Sequence, residues 1–321
     1  MDIIEQIEKI GIVPVVKIND AEKAEGLAEA LCNGGLPCAE VTFRTDAAAE
    51  AIKLITTKFP EMCVGAGTVL TTAQVDAAVS AGAKFIVSPG LNPKVVSYCV
   101  SKNIPIVPGI STPSEIEQAI ELGLSVVKFF PAEQSGGLAK IKAMAAPYAG
   151  VRFMPTGGIN AANINSYLDF QKIVACGGSW MVPSDALDAG DFERIENLAR
   201  EAVKTMLGFE LAHVGINAQS PDEAEKAAKR FSFLFGLEYK PGNSSIFAGS
   251  AVEVMKTPYL GKNGHIAIRT NYIERAMNYL SSVLGVKFNQ ESAKKDDKTG
   301  KLKAIYLQEE IGGFAVHLVQ K

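Results

Sequence analysis

Histidine is nearly missing from this chain: its 321 residues hold 3, and none lies before position 213. Proton transfer in the first two thirds must therefore use carboxylate, lysine, tyrosine, cysteine or water. Cysteine is scarce as well. The 5 present (Cys32, Cys38, Cys63, Cys99, Cys176) are odd in number and lack metal-type spacing. That excludes a disulfide scaffold and a thiolate zinc site, and the thiols read as reduced core residues of a cytosolic protein. No apolar run approaches the ~18 residues of a membrane-spanning helix. The opening stretch, MDIIEQIEKI, has acidic residues where a signal peptide needs basic ones, so the expected location is cytoplasmic. Charge of one sign is also lacking. A net of −3 gives no general attraction to nucleic acid or an anionic membrane.

What is present is ordinary globular material, 47% apolar and 21% charged, in a length that suits two domains. Charge divides the chain. Residues 1–210 carry 17 Lys and Arg against 24 Asp and Glu, whereas residues 211–321 carry 15 against 11. All cysteines fall in the first part and all histidines in the second. A helical pattern, DFERIENLAREAVKTML, ends at Gly208, a residue suited to a helix C-cap. The expected domains are 1–208 and 211–321.

The first segment repeats one unit. Short apolar runs occur at GIVPVVKI (11–18), CAEVTF (38–43), CVGAGTV (63–69), KFIVSPG (84–90), IPIVPGI (104–110), VVKFF (126–130), RFMPTGG (152–158) and KIVACGG (172–178). Amphipathic stretches with helix-start signals lie between them, at Asn19-Asp20, Thr71-Thr72 and Ser111-Thr112-Pro113. This pattern predicts an α/β fold, a (β/α)8 TIM barrel, with an open doubly wound sheet as its rival. The second segment repeats something else. HVGINAQSPDEAEKAAKRFSFLFGLEY (213–239) matches HIAIRTNYIERAMNYLSSVLGVKF (265–288), and GSAVEVMK (249–256) matches GFAVHLVQ (313–320). The spacing predicts a smaller α+β domain of two βαβββ repeats, with the charged ESAKKDDKTGK (291–301) as an extra loop.

Barrel chemistry gathers at the C-terminal ends of the strands, which directs attention to Lys17, Glu40, Thr42, Arg44, Thr68, Ser88, Lys128, Thr156 and Ser179. Lys128 interrupts the apolar run SVVKFFPAE. Desolvation there favours a neutral amine able to attack a carbonyl; the plainer alternative is a lysine reaching out to solvent. Lys17 and Lys84 sit nearer the edges of their runs. Glu40 stands inside AEVTFR, where a buried carboxylate is costly unless paired or used. Arg44 could bind a substrate carboxylate, or simply pair with Glu40. Thr156-Gly157-Gly158 and Gly177-Gly178-Ser179 close the seventh and eighth strands, where barrels commonly bind phosphate, although a glycine pair alone also marks a tight turn.

On the motifs EVTFRT (40–45), VGAGTV (64–69), SPG (88–90), PGIST (108–112), KFFPAE (128–133), PTGGI (155–159) and GGSWMVP (177–183), residues 1–207 resemble the 2-keto-3-deoxy-6-phosphogluconate/4-hydroxy-2-oxoglutarate aldolase family. The resemblance implies a class I aldolase without cofactor, usually a homotrimer, acting on a phosphorylated 2-oxo sugar acid and releasing pyruvate. It implies Lys128 as the imine-forming lysine and Glu40 as the acid–base residue. Arg44 and Thr68 would hold the pyruvate carboxylate, Thr156 and Pro89 would line the pocket, and Gly157, Gly158, Gly178 and Ser179 would hold the phosphate. The motifs do not separate the gluconate substrate from its galactonate epimer. An isomerase using Glu40 as base without an imine is the competing barrel chemistry.

The three histidines fall at related places in the two repeats, His213 and His265 opening equivalent strands and His317 standing where the other repeat has Glu253. Residues 211–320 resemble the glyoxalase/bleomycin-resistance, or vicinal oxygen chelate, family on HVGI, VEV, GHIAI and VHLV. That resemblance implies His213, Glu253, His265 and His317 as ligands of a divalent transition metal, Zn, Ni, Co, Mn or Fe. The departure is His317, where glyoxalase I has glutamate, so the resemblance does not extend to glyoxalase I activity. A metal-free binding or assembly module is the alternative.

Overall fold

The computed structural model describes residues 2–321, which form two compact units, one ending at Met206 and the other running from Leu207 to Lys321. In the first unit, eight strands are built from the apolar runs: β1 (Ile12–Val16), β2 (Cys38–Thr42), β3 (Cys63–Gly67), β4 (Phe85–Ser88), β5 (Ile106–Ile110), β6 (Val126–Phe129), β7 (Arg152–Pro155) and β8 (Cys176–Gly178). From β1 to β7 each pairs in parallel with its sequence neighbour, and β8 lies against β1. Parallel bridges Phe153–Ile173 and Thr156–Gly177 bring the β7 and β8 ends together. The result is a TIM-like near-barrel with helices between the strands. Two of those helices start where a threonine hydroxyl satisfies a free N–H group. Thr71 with Gln74 and Thr112 with Glu115 form reciprocal capping boxes.

Register decides which side chains enter the barrel, because directly paired residues share a face. Val15 pairs with Glu40, Glu40 with Gly65, and Gly65 with Phe85. Farther round, Gly109 pairs with Lys128 and Lys128 with Met154. Glu40 and Lys128 therefore both project into the interior. Glycines make the room they need: a Cβ on Gly65 would lie 2.4 Å from the Phe85 ring, and one on Gly67 would lie 2.2 Å from Glu40 Oε1.

The second unit is one mixed sheet of eight strands: β9 (Glu210–Asn217), β10 (Tyr239–Pro241), β11 (Ser245–Ala248), β12 (Val252–Met255), β13 (His265–Thr270), β14 (Phe288–Lys295), β15 (Leu302–Ile311) and β16 (Phe314–Gln320). Their order is β10-β11-β12-β9-β13-β16-β15-β14. Each βαβββ repeat thus folds identically, its first strand parallel to its last, and the two first strands meet antiparallel at the centre. Ala218, Ala224, Ala228, Ile246 and Val254 form the core beneath the helix Pro221–Phe235.

One expectation changes here. Residues 291–295 are not loop but the end of β14, and the insertion lengthens a β14–β15 hairpin. Asp296 closes its turn by accepting from the Lys298 and Thr299 N–H groups. The exposed lysines that made the segment look loop-like occupy an edge strand, where charge discourages pairing with other chains. No helix among the described residues is long and apolar enough to cross a membrane.

Candidate functional site

Lys128 Nζ lies 3.1 Å from Glu40 Oε1 inside the barrel, and the two side chains are 6% and 1% exposed. The lysine does not reach out to solvent; its ammonium faces the carboxylate and the Phe130 ring. Arg44 does not pair with Glu40 either. At the end of β2 it turns to Thr68, donating from Nε to Oγ1 at 3.2 Å. Thr68 has φ 55, a left-handed conformation that costs a β-branched residue on the order of 1–3 kcal/mol. It is pinned there by flanking ladder bonds, Phe43 N–H to the Gly67 carbonyl and Val69 N–H to the Val87 carbonyl. A cleft of about 340 Å³ opens beside this pair, lined by Phe43, Arg44, Thr45, Asp46, Ala49 and Gln74.

Across the mouth, Thr156 is buried and its Oγ1 has no partner within the described residues. Gly177 admits it, since a Cβ there would lie 2.3 Å from that oxygen. Gly157 and Gly158 have φ 101 and 77, so the turn after β7 requires glycine. Gly178 sits under the Trp180 ring and Ser179 is exposed just beyond β8. The Pro89 carbonyl packs where Gly109 lacks a side chain. The strand-edge lysines lie outside this cluster: Lys17 is exposed after β1, and Lys84 precedes β4 and donates to the Pro60 carbonyl.

The family model for KDPG and KHG aldolase matches residues 3–198. The chain belongs to that family. It is an aldolase, and so a lyase. The 2-dehydro-3-deoxy-phosphogluconate aldolase of Treponema pallidum is 50% identical over 63% of this chain and 96% of its own length. The KHG/KDPG aldolase of Escherichia coli K12 is 47% identical over 60% of this chain and 91% of its own. Among solved structures, the KDPG aldolase of Legionella pneumophila, with pyruvate captured as a covalent carbinolamine, superposes with a TM-score of 0.60 at 36% identity, covering 62% of this chain and 97% of that one.

Outside the aldolase barrel, the second unit brings its histidines to one face of the sheet. Register sets two rows across β12, β9, β13 and β16: Glu253–Gly215–His265 in one, His213–Ala267–His317 in the other. His213 lies inside β9 rather than at its start, because that strand begins at Glu210. Polar side chains alternate with small residues, and a Cβ on Gly215 would lie 2.0 Å from the His265 ring. Glu253 Oε2 stands 3.1 Å from His213 Nε2 and 3.0 Å from His265 Nε2, while ligand atoms of the three histidines all fall within 4.8 Å of one another.

The electrostatics suit a cation. Burial alone would raise the Glu253 carboxyl, yet hydrogen bonds from His213, His265 and Ser245 outweigh it and hold the group well below the ordinary carboxylate range. Burial, with His265 and His213 alongside, pushes the His317 imidazole down to about 3, which favours the neutral ring with one nitrogen lone pair to give. Both ring nitrogens of His317 and Nδ1 of His265 are buried without a partner among the described residues. Ser245, 2.5 Å from Glu253 Oε1, and Tyr306, stacked 4.4 Å over His317, complete the cluster. Sequence reasoning missed both, along with Gly67 and Gly215. Only the glycines left a signal, as strand glycines with a close neighbour.

Proposed function

We propose that the barrel cleaves 2-dehydro-3-deoxy-6-phosphogluconate to pyruvate and glyceraldehyde 3-phosphate through an imine on Lys128. The observation that carries this reading is the buried Lys128–Glu40 contact, an amine and a proton acceptor held 3.1 Å apart where water is scarce. Glu40 takes a proton from Lys128, whose free amine attacks the C2 carbonyl. Glu40 returns a proton to the carbinolamine oxygen, and water leaves as the imine forms. The protonated imine then draws electrons as Glu40 takes the C4 hydroxyl proton, directly or through water. The C3–C4 bond breaks, the aldehyde departs and an enamine remains. Protonation at C3 and hydrolysis release pyruvate and regenerate the amine.

Substrate placement follows from the two ends of the site. Arg44, with Thr68 beside it, would take the carboxylate as a charge-assisted contact. The Gly157-Gly158 turn, Gly178 and Ser179 would take the phosphate at the opposite side. Thr156 and the Pro89 backbone would line the cavity between. Cleavage of 4-hydroxy-2-oxoglutarate to pyruvate and glyoxylate uses the same imine and needs no phosphate contact, so it belongs to the proposal as a second activity. Assays with the gluconate compound, its C4 galactonate epimer and 4-hydroxy-2-oxoglutarate test the assignment: fastest pyruvate release from the gluconate compound is expected, and preference for the epimer would overturn the choice. A homotrimer is the proposed assembly, and exposed Val79, Val100 and Ile120 on three successive barrel helices suit such a contact.

For residues 211–321 we propose a vicinal-oxygen-chelate-type domain whose His213, Glu253, His265 and His317 would hold one divalent transition metal. The support is the donor set itself: three imidazoles and one carboxylate on one face, with buried nitrogens lacking partners. Such a metal would polarise a chelated carbonyl or carboxylate oxygen. Ser245 fixes the carboxylate, and Gly215 and Ala267 leave the rings space to converge. The proposed ligand is an oxo acid or sugar acid. Metal analysis of the purified full chain beside a His213→Ala/His265→Ala variant tests this: about one metal per chain is expected, lost in the variant. No metal in either protein after reconstitution would leave a metal-free binding module.

A further inference from the structure

The Gly157-Gly158 turn is braced from outside. The Ala132 N–H donates to the Thr156 carbonyl at 2.8 Å and the Glu133 N–H to the Gly157 carbonyl at 3.1 Å. After Glu133 the chain curls into a short 3-10 turn, Glu133–Ser135, and supplies no backbone donor to the next carbonyl. Side-chain amides take over there. Asn163 Nδ2 reaches the Gly158 carbonyl at 3.1 Å and Asn160 Nδ2 reaches it at 3.3 Å. The two asparagines also fix each other's loop: Asn163 Oδ1 accepts from the Asn160 N–H at 2.9 Å, and Asn160 Oδ1 accepts from the Ala162 N–H at 2.8 Å. On the inner side, the buried Tyr167 hydroxyl donates to the Glu133 carboxylate. The Glu133 stem fills the space that a Gly158 side chain would need.

Three successive carbonyls, of Thr156, Gly157 and Gly158, are thus held by protein donors. In a trans peptide the N–H points away from its carbonyl, so the N–H groups of Gly157, Gly158 and Ile159 face the other way. A glycine pair is conformationally free enough to turn a peptide over, which would present carbonyl lone pairs to an anion. We infer that Asn160 and Asn163 are positioning residues for the phosphate, keeping the Gly158–Ile159 peptide turned with its carbonyl outward and its N–H inward. This rests on the phosphate reading of the turn given above. Preorganised donors bind an anion without first reorienting, which is where the two amides act.

Trp180 makes this testable, because the sole tryptophan lies over Gly178 and its fluorescence reports on this end of the site. Inorganic phosphate would be titrated into the full chain as wild type, Asn160→Ala/Asn163→Ala and Asn163→Ser, which keeps a polar side chain at the helix start but is too short to reach Gly158. The double variant is expected to bind phosphate roughly tenfold more weakly, the loss of two modest hydrogen bonds. KM for the phosphorylated substrate should rise by a similar factor while kcat and borohydride trapping of pyruvate hold; Asn163→Ser should fall between. Wild-type phosphate affinity in both variants overturns the inference, as does loss of pyruvate trapping in Asn163→Ser, which marks a general structural role. A wild type blind to phosphate removes the phosphate reading itself.

Discussion

Gly67 matters to the barrel's chemistry as much as the charged pair beside it. An alanine methyl there would sit 2.2 Å from Glu40 Oε1, so Gly67→Ala must push the carboxylate off its line to Lys128. The expected outcome is a fall in kcat of about a hundredfold or more, the scale of acid–base catalysis, with about 1–3 kcal/mol lost from stability. Steady-state kinetics beside urea unfolding checks both, and undiminished turnover would mean that Glu40 works from another position. At this scale the sequence was partly legible. Lys128 and Glu40 declared themselves because a charge within an apolar strand is costly unless it is used. Gly67 did not, since a strand glycine has many causes until the packed structure shows the Glu40 carboxylate lying against it. Ser245 left no mark, because a serine at the start of a short strand is ordinary until its hydroxyl is seen to reach Glu253 on the neighbouring strand.

Among the elements, β11 carries a single polar contact with a large expected effect. Ser245 donates to the Glu253 oxygen turned away from His213 and His265, fixing the carboxylate's orientation. On the metal-site proposal, Ser245→Ala should weaken binding of the proposed metal by about 10–100-fold, as loss of a hydrogen bond behind a ligand commonly does. Competition of the full chain against a coloured chelator measures it, and an unchanged affinity would show that the orientation is set elsewhere. The element sequence of both units followed from sequence rhythm, eight apolar runs matching eight parallel strands and two offsets matching two equivalent βαβββ repeats, whereas the strand order of the second sheet came only from its pairing. The hairpin β14–β15 was missed because composition marks solvent exposure, not backbone conformation. An edge strand with charged side chains and a loop look alike from sequence alone.

At the scale of the whole molecule, the chain pairs an aldolase barrel with a separately cored sheet unit, and the catalytic proposal draws on the first alone. Each unit buries its own apolar set, so a chain ending at Gly208 is expected to fold and release pyruvate with a kcat within about threefold of full length, a change of under 1 kcal/mol in the barrier. Loss of turnover in a folded truncation would mean that the second unit contributes to the reaction. The proposed catalysis rests on the imine on Lys128. Its most direct measurement is borohydride reduction of the full-length protein with pyruvate, followed by peptide mapping by mass spectrometry. One adduct is expected, on Lys128, with activity lost in step with labelling and no adduct in Lys128→Arg. An unlabelled Lys128 in protein that still turns over, or an adduct at Lys17 or Lys84 instead, would contradict it.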